Sequence, residues 1–194
     1  MTKQEVNNNI RYNENLVRQY ENTISRLNGQ INTLNSEIRQ VNSQISQLNT
    51  KKNNLNNQIK ELNQLKTKYQ KLQTSFSNRQ NARLRKFTAN FSRNFNAKFV
   101  ASYVSGMKSL LSGNEYKKAY NGLTSAINTI SNKIKALQKD VDSLQKDINS
   151  KNKSIESKRR SISSYQSQLS TARSNLSYRR QRITYWKNQL KYAT

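Results

Sequence analysis

Apolar residues return every seventh position along most of this chain, with a second series three residues behind the first. In the first part Ile10, Val17, Ile24, Ile31, Ile38, Ile45 and Ile59 share one heptad position, interrupted by Lys52, while Tyr20, Leu27, Leu34, Val41, Leu48, Leu55, Leu62, Tyr69 and Phe76 fill the other. These are the a and d stripes of a coiled coil, sustained over about nine heptads, where three or four already separate a coiled coil from an accidental amphipathic helix. Thr2 followed by Glu5 has the spacing of a capping box and predicts a helix start almost at Met1.

The pattern returns near the other end. Tyr120, Ile127, Ile134, Val141, Ile148, Ile155, Ile162, Leu169, Leu176, Ile183 and Leu190 form an unbroken a series. At d, Leu123, Ile130, Leu137 and Leu144 give way to Lys151, Lys158, Tyr165, Ala172, Arg179 and Trp186. Long basic side chains can lie along apolar surface with their charges in water, so these positions are tolerable but less cohesive, and the C-terminal end of the seam is expected to be looser.

Between the seams, residues 77–114 break the heptad and carry aromatic residues at four-residue spacing: Phe87, Phe91, Phe95, Phe99 and Tyr103. Spacing of i, i+4 predicts one ring-bearing face on a short amphipathic helix. Such a stripe either packs onto the coiled coil and closes its end or leaves part of its face for a partner helix, and these five residues are the candidate partner-binding set. Leu110-Leu111-Ser112-Gly113 reads as a helix end with a glycine just beyond it, and Asn114 with Glu115 as the cap and first turn of the next helix.

The fold class that follows is all-α: a long antiparallel coiled-coil hairpin with a short helical tip. Residues 1–76 form the first coiled-coil helix, 77–114 the tip and 115–194 the second helix with a basic C-terminal third. Each stripe covers about 75 residues, on the order of 110 Å as helix. A joined partner is present at an effective concentration that a second chain does not readily reach, which favours the hairpin. The alternative is an extended parallel dimer, a possible homo-oligomer of this chain, since Ile or Val at a with Leu at d is also the preference of parallel dimers. In a hairpin centred near residue 96, Lys52 is expected beside Asp140 and Asp142, which would lessen the cost of an ammonium at a seam position.

Composition narrows the classes. Only 32% of the 194 residues are hydrophobic and the mean hydropathy is -1.04, enough for a narrow seam but not for a compact core. There is no Pro and there are four Gly, so nothing in the backbone forbids very long helices. Asn and Gln runs such as Asn53-Asn54-Leu55-Asn56-Asn57 are threaded by the periodic Ile and Leu residues and read as the surface of the coiled coil. No apolar run approaches the roughly 18 residues of a membrane span, and no signal-peptide pattern opens the chain. The expected location is the cytoplasm, or outside the cell by a route that needs no cleavable signal.

Charge changes the picture most. The formal net charge is +25, and no acidic residue lies between Glu61 and Glu115, while Arg79, Arg83, Arg85 and Lys86 fall there. A second basic region holds Arg159 and Arg160, then Arg179, Arg180 and Arg182 interleaved with Tyr178, Tyr185 and Trp186. These residues are the candidate polyanion-binding set, and non-specific attraction to nucleic acid is expected of them. The aromatic residues could stack bases or pack in the weak part of the seam. With no His and no Cys, the commonest general base, the thiolate nucleophile and the imidazole ligand are all missing, and the ten acidic residues are scattered. No catalytic activity, metal site or cofactor is expected.

The order of parts carries one resemblance. A first coiled coil from Val17 to Leu72 contains Ile24-Ser25-Arg26-Leu27-Asn28-Gly29-Gln30-Ile31. A short central helix follows, and then Leu123-Thr124-Ser125-Ala126-Ile127-Asn128-Thr129-Ile130-Ser131-Asn132-Lys133-Ile134. This arrangement resembles the small helical partner proteins of LXG toxins in the type VII secretion systems of Gram-positive bacteria, which are similar to the Trp-Xaa-Gly helical-hairpin family. The chain has no Trp-Xaa-Gly, and its only Trp is Trp186. The resemblance implies a targeting or chaperone-like subunit that lies alongside the helical domain of a secreted toxin and has a helical protein as its partner. The alternative class is a basic coiled-coil structural or nucleic-acid-organising protein, for example of a phage or virion.

Overall fold

The first helix begins with the expected reciprocal cap. The Thr2 amide donates to Glu5 Oε2 at 2.8 Å and the Glu5 amide to Thr2 Oγ1 at 3.2 Å, so two donors that the first turn would leave open are satisfied. From there α1 runs over Lys3–Phe91, followed by α2 (Lys98–Ser112) and α3 (Asn114–Leu190). The computed structural model describes residues 1–91 and 98–193, and among these there is no strand. The fold is all-α, and its helical pairing is that of an antiparallel coiled-coil hairpin.

Packing divides the chain into two units, one of Met1–Leu48 with Asp147–Thr194 and one of Asn49–Lys146. In the first unit a stretch of α1 lies antiparallel to a stretch of α3. Gln44 meets Lys151, Glu37 meets Lys158 and Asn13 meets Arg179, so α3 numbers rise as α1 numbers fall. The a and d side chains of both stretches are buried or half-buried, with Val6 and Leu27 wholly so and Ile10, Ile38, Ile148, Ile155, Leu169 and Ala172 close behind. Val6 and Asn13 extend the d stripe two heptads before Tyr20, and Asn13 is buried at 3% exposure.

The charged d residues of this unit, expected to make the seam less cohesive, each have a partner on α1. Lys151 Nζ donates to Gln44 Oε1 at 2.6 Å, Lys158 pairs with the Glu37 carboxylate, and Arg179 donates to Asn13 Oδ1 at 3.3 Å. Such bonds offset part of the cost of bringing a polar group into a seam.

The second unit pairs the remainder of α1 with the start of α3 in the same antiparallel sense, with Lys52 near Gln145, Gln73 near Thr124 and Phe76 near Tyr116. Lys52 is half-buried, and its ammonium donates to the Gln145 amide oxygen at 2.8 Å. The expected pairing with Asp140 and Asp142 is therefore corrected to an amide one turn further along α3; Asp140 instead lines a shallow groove with Lys51, Asn54 and Leu55. Periodicity fixes which face of a helix is buried but leaves its axial offset open by a turn.

At the tip, the ring centroids of Phe87 and Tyr103 are 6.3 Å apart. One straight helix would separate these residues by about 24 Å at its usual rise per residue, so α2 folds back along the end of α1. The rings expected on one continuous helix face are thus divided between two helices. The junction of α2 and α3 is a close backbone approach: a Cβ on Gly113 would stand 2.0 Å from the Ser109 carbonyl oxygen. No glycine among the described residues has positive φ, so Gly113 is required here by space and not by a left-handed conformation. Its carbonyl accepts from the Lys117 amide at 3.1 Å, which puts the cap of α3 at Gly113, one residue before the expected Asn114.

Candidate functional site

The aromatic tip is built by the end of α1 and by α2. Phe87 is half-buried against Tyr103, which remains 49% exposed. Phe91 belongs to α1 and Phe99 to α2, while Phe95 and the side chains of Phe91 and Phe99 lie outside the described residues. On α2, Val104 and Met107 are half-buried but Leu110 is 70% exposed. Below the tip, Phe76 and Tyr116 stack at 5.2 Å with their planes 13° apart, and the Tyr116 hydroxyl donates to Ser77 Oγ at 3.4 Å. Of the aromatic series, the described side chains are thus one half-buried ring and one half-exposed ring packed against each other.

Sequence periodicity missed a second apolar feature of this unit. After Ile59 the a positions turn polar, as Lys66, Gln73 and Gln80. Gln73 is held in the seam, where its amide donates to Thr124 Oγ1 at 2.6 Å. Leucine moves one residue back, to the g positions Leu65 and Leu72, which are 41% and 56% exposed. The polar substitutions at a were the available signal, since apolar residues at d and g together turn a helix's apolar face partly away from its partner.

The basic candidates fall in both units. Arg79, Arg83, Arg85 and Lys86 are all exposed on the last turns of α1, and none forms an ion pair with a carboxylate among the described residues. In the first unit Arg159 and Arg160 are exposed, while their neighbour Lys158 turns inward to Glu37. Arg180 is partly neutralised by Glu21 at 2.8 Å, and Lys187 lies 4.0 Å from Glu14. Such exposed pairs contribute little to stability, but they reduce the local positive field.

Aromatic and basic residues at this end of the first unit are organised around arginine. The Arg182 guanidinium lies 5.0 Å from the Tyr185 ring centre and 5.1 Å from that of Trp186, and Arg179 lies between Tyr12 at 5.9 Å and Tyr178 at 5.3 Å. Trp186 is half-buried at its d position, whereas Tyr178 and Tyr185 are about half exposed. One face of each ring is thus occupied by a guanidinium. Chemically the cluster is suited to phosphate contacts from arginine held by cation–π attraction, with some ring area left for stacking.

The grooves between the helices are shallow and open. Among the described residues no helix is long and apolar enough to cross a membrane. The geometry defines a class: an all-α protein of antiparallel helices with an aromatic, basic tip and an arginine–aromatic cluster. Comparison with protein-family models, with curated proteins and with solved structures finds no match.

Proposed function

We propose that this chain is a non-enzymatic interaction subunit, whose partner is a helical protein that docks in the tip-bearing unit. The observation that carries the reading is apolar surface with no role in the chain's own seam: Leu65, Leu72 and Leu110 are exposed in one unit of a protein with little apolar material to spare. Single exposed apolar residues are ordinary, but several in one unit are a mark of interaction. The lack of His and Cys in the sequence fits a protein that binds without doing chemistry. Together with the resemblance, this makes a partner or targeting subunit of a secreted LXG-type toxin the specific form of the proposal.

The test pairs two alanine scans over Phe87, Phe91, Phe99 and Tyr103, one by melting of the isolated protein and one by co-purification with a candidate helical partner encoded nearby. A ring that serves only the chain's own core should cost about 3–5 kcal/mol of stability when cut to Ala. A partner-facing ring should leave the melting temperature nearly unchanged and lower co-purification, since a buried aromatic contact contributes about 2 kcal/mol or more to binding. If every substitution destabilises the isolated chain and none selectively lowers co-purification, the tip is a cap and the proposal fails there.

A second reading has its own observation. Arg179 and Arg182 held over aromatic rings, with Arg159 and Arg160 exposed in the same unit, favour a protein that organises nucleic acid through its backbone phosphates.

A further inference from the structure

The exposed leucines of the second unit do not stand alone. From the d positions Leu62, Tyr69 and Phe76, the g positions of α1 are Leu65, Leu72, Arg79 and Lys86. In an antiparallel pair the g positions of both helices border the same side of the seam. Leu65 accordingly lines a groove of about 340 Å³ with Leu62 on its own helix and with Lys133 and Leu137 of α3. Lys133 is a g residue of α3, and the g residues that follow it toward the tip are Ala126 and Ala119. By the same repeat Leu72 lies one heptad beyond Leu65 on the edge of α1, and Ala126 and Ala119 lie one and two heptads beyond Lys133 on the facing edge of α3.

We infer that this groove is the seat of a third helix, an acidic amphipathic segment of the partner, which completes a three-helix packing against α1 and α3. The inference rests on the proposed function and names where and by what chemistry the partner is held. Leu65 and Leu72 supply the apolar contact, and their seven-residue spacing matches the repeat of a helix lying alongside. Charge selects the occupant. Lys68, Arg79, Arg83 and Lys86 are exposed on the same face of α1, and none forms an ion pair among the described residues. Glu61 is the sole acidic residue lining the groove.

The same observations weigh against other occupants. A second copy would bring its own net charge of +25 against a basic rim. Nucleic acid would use the cations and leave the leucines in water. A flat bilayer does not enter a groove between two helices, whereas a helix does. The polar a positions agree: with Lys66 and Gln73 turned into the two-helix seam, the apolar residues are displaced to the side where a third helix would meet them.

The test uses the full chain, its Leu65→Ser/Leu72→Ser variant, and a synthetic peptide of about four heptads with leucine at two positions per heptad and flanking glutamates, long enough to fold as a helix on contact. The wild-type chain should bind this peptide and bind a scrambled peptide of equal charge at least tenfold more weakly. The double serine variant should lose at least tenfold in affinity while keeping its melting temperature. Equal binding of the scrambled peptide would reduce the site to polyanion attraction. A melting temperature lowered as far as by a core truncation would make the leucines part of the chain's own fold. Leucine-dependent binding of vesicles containing anionic phosphatidylglycerol, matching that of the peptide, would assign the face to lipid. Any of these overturns the inference. If the candidate helical partner co-purifies equally well with wild type and with the serine variant, the groove is wrong and the interaction reading stands. If it co-purifies with neither while the peptide binds wild type alone, the identity of the partner is wrong and the groove stands.

Discussion

Leu27 offers the sharpest test of the pairing. It sits at a d position, is wholly buried, and belongs to the unit in which α1 and α3 meet through Gln44–Lys151 and Glu37–Lys158. Truncation to Ala removes buried methyl groups from a seam only one side chain deep on either helix, so little surrounds the site to collapse into it. Within the usual range of about 2–5 kcal/mol for such a change, a loss of about 3 kcal/mol is expected. For a chain of this length that corresponds to a fall of about 6–12 °C in melting temperature, read by the helical circular dichroism signal. Leu72→Ala is the matched control: the same atoms are removed at a g position that is 56% exposed, and the change should stay within about 0.5 kcal/mol. Both melts should be independent of protein concentration, because the partner helix is in the same chain. A parallel dimer would instead melt higher at higher concentration. Equal losses for Leu27 and Leu72, or a melting temperature that rises with concentration, would refute the antiparallel seam.

Two further outcomes are expected. Since the chain has no Cys, Lys52→Cys with Gln145→Cys places two unique thiols, and a short thiol-reactive linker should join them within one chain; linkage found only between chains would contradict the register. Binding to DNA or RNA should be measurable at low salt, show no sequence preference, and fall steeply between about 50 and 200 mM salt as counterion release dictates; tight binding to one sequence at physiological salt would favour the nucleic-acid reading.

The fold was largely legible because a coiled coil writes its seam into the sequence twice, once per helix. Every named a and d residue of the two stripes whose side chain is described is buried or half-buried, Tyr120 excepted at 37% exposure. What periodicity could not supply was the partner of each position. Lys52 was placed one turn from its actual neighbour, Gln145, because a heptad pattern repeats whatever the offset between its helices. Lys151, Lys158 and Arg179 read as weaknesses for the same reason: Gln44, Glu37 and Asn13 become their partners only once the offset is known. Val6 and Asn13 are hard to read as d positions, because a polar Asn interrupts the stripe before Tyr20. An i, i+4 pattern of aromatic residues suggests one helix because it says nothing about where a helix ends. The contact of Phe87 with Tyr103 shows that it turns between them.

The polar layer at Asn13 and Arg179 bears on what this seam is selected for. Asn13 is almost wholly buried, yet both ends of its amide are used: Nδ2 donates to the Asn9 carbonyl at 2.7 Å, and Oδ1 accepts from Arg179 at 3.3 Å. A Leu pair in their place would bury more apolar surface, so the layer does not maximise stability. Its value lies in what it excludes. Were α3 to slip by one heptad toward the start of α1, Arg179 would face Val6 and Asn13 would face Ala172, and neither new neighbour offers a side-chain hydrogen bond. A buried polar group left open in this way costs about 1–3 kcal/mol, enough to bias the helices to one offset. A non-additive cycle is expected. Asn13→Leu and Arg179→Leu should each destabilise, because each leaves its former partner without that bond. Together they should recover most of the loss or exceed the wild type in melting temperature. Two losses that simply add in the double variant would mean that the Asn13–Arg179 contact has no part in setting the register.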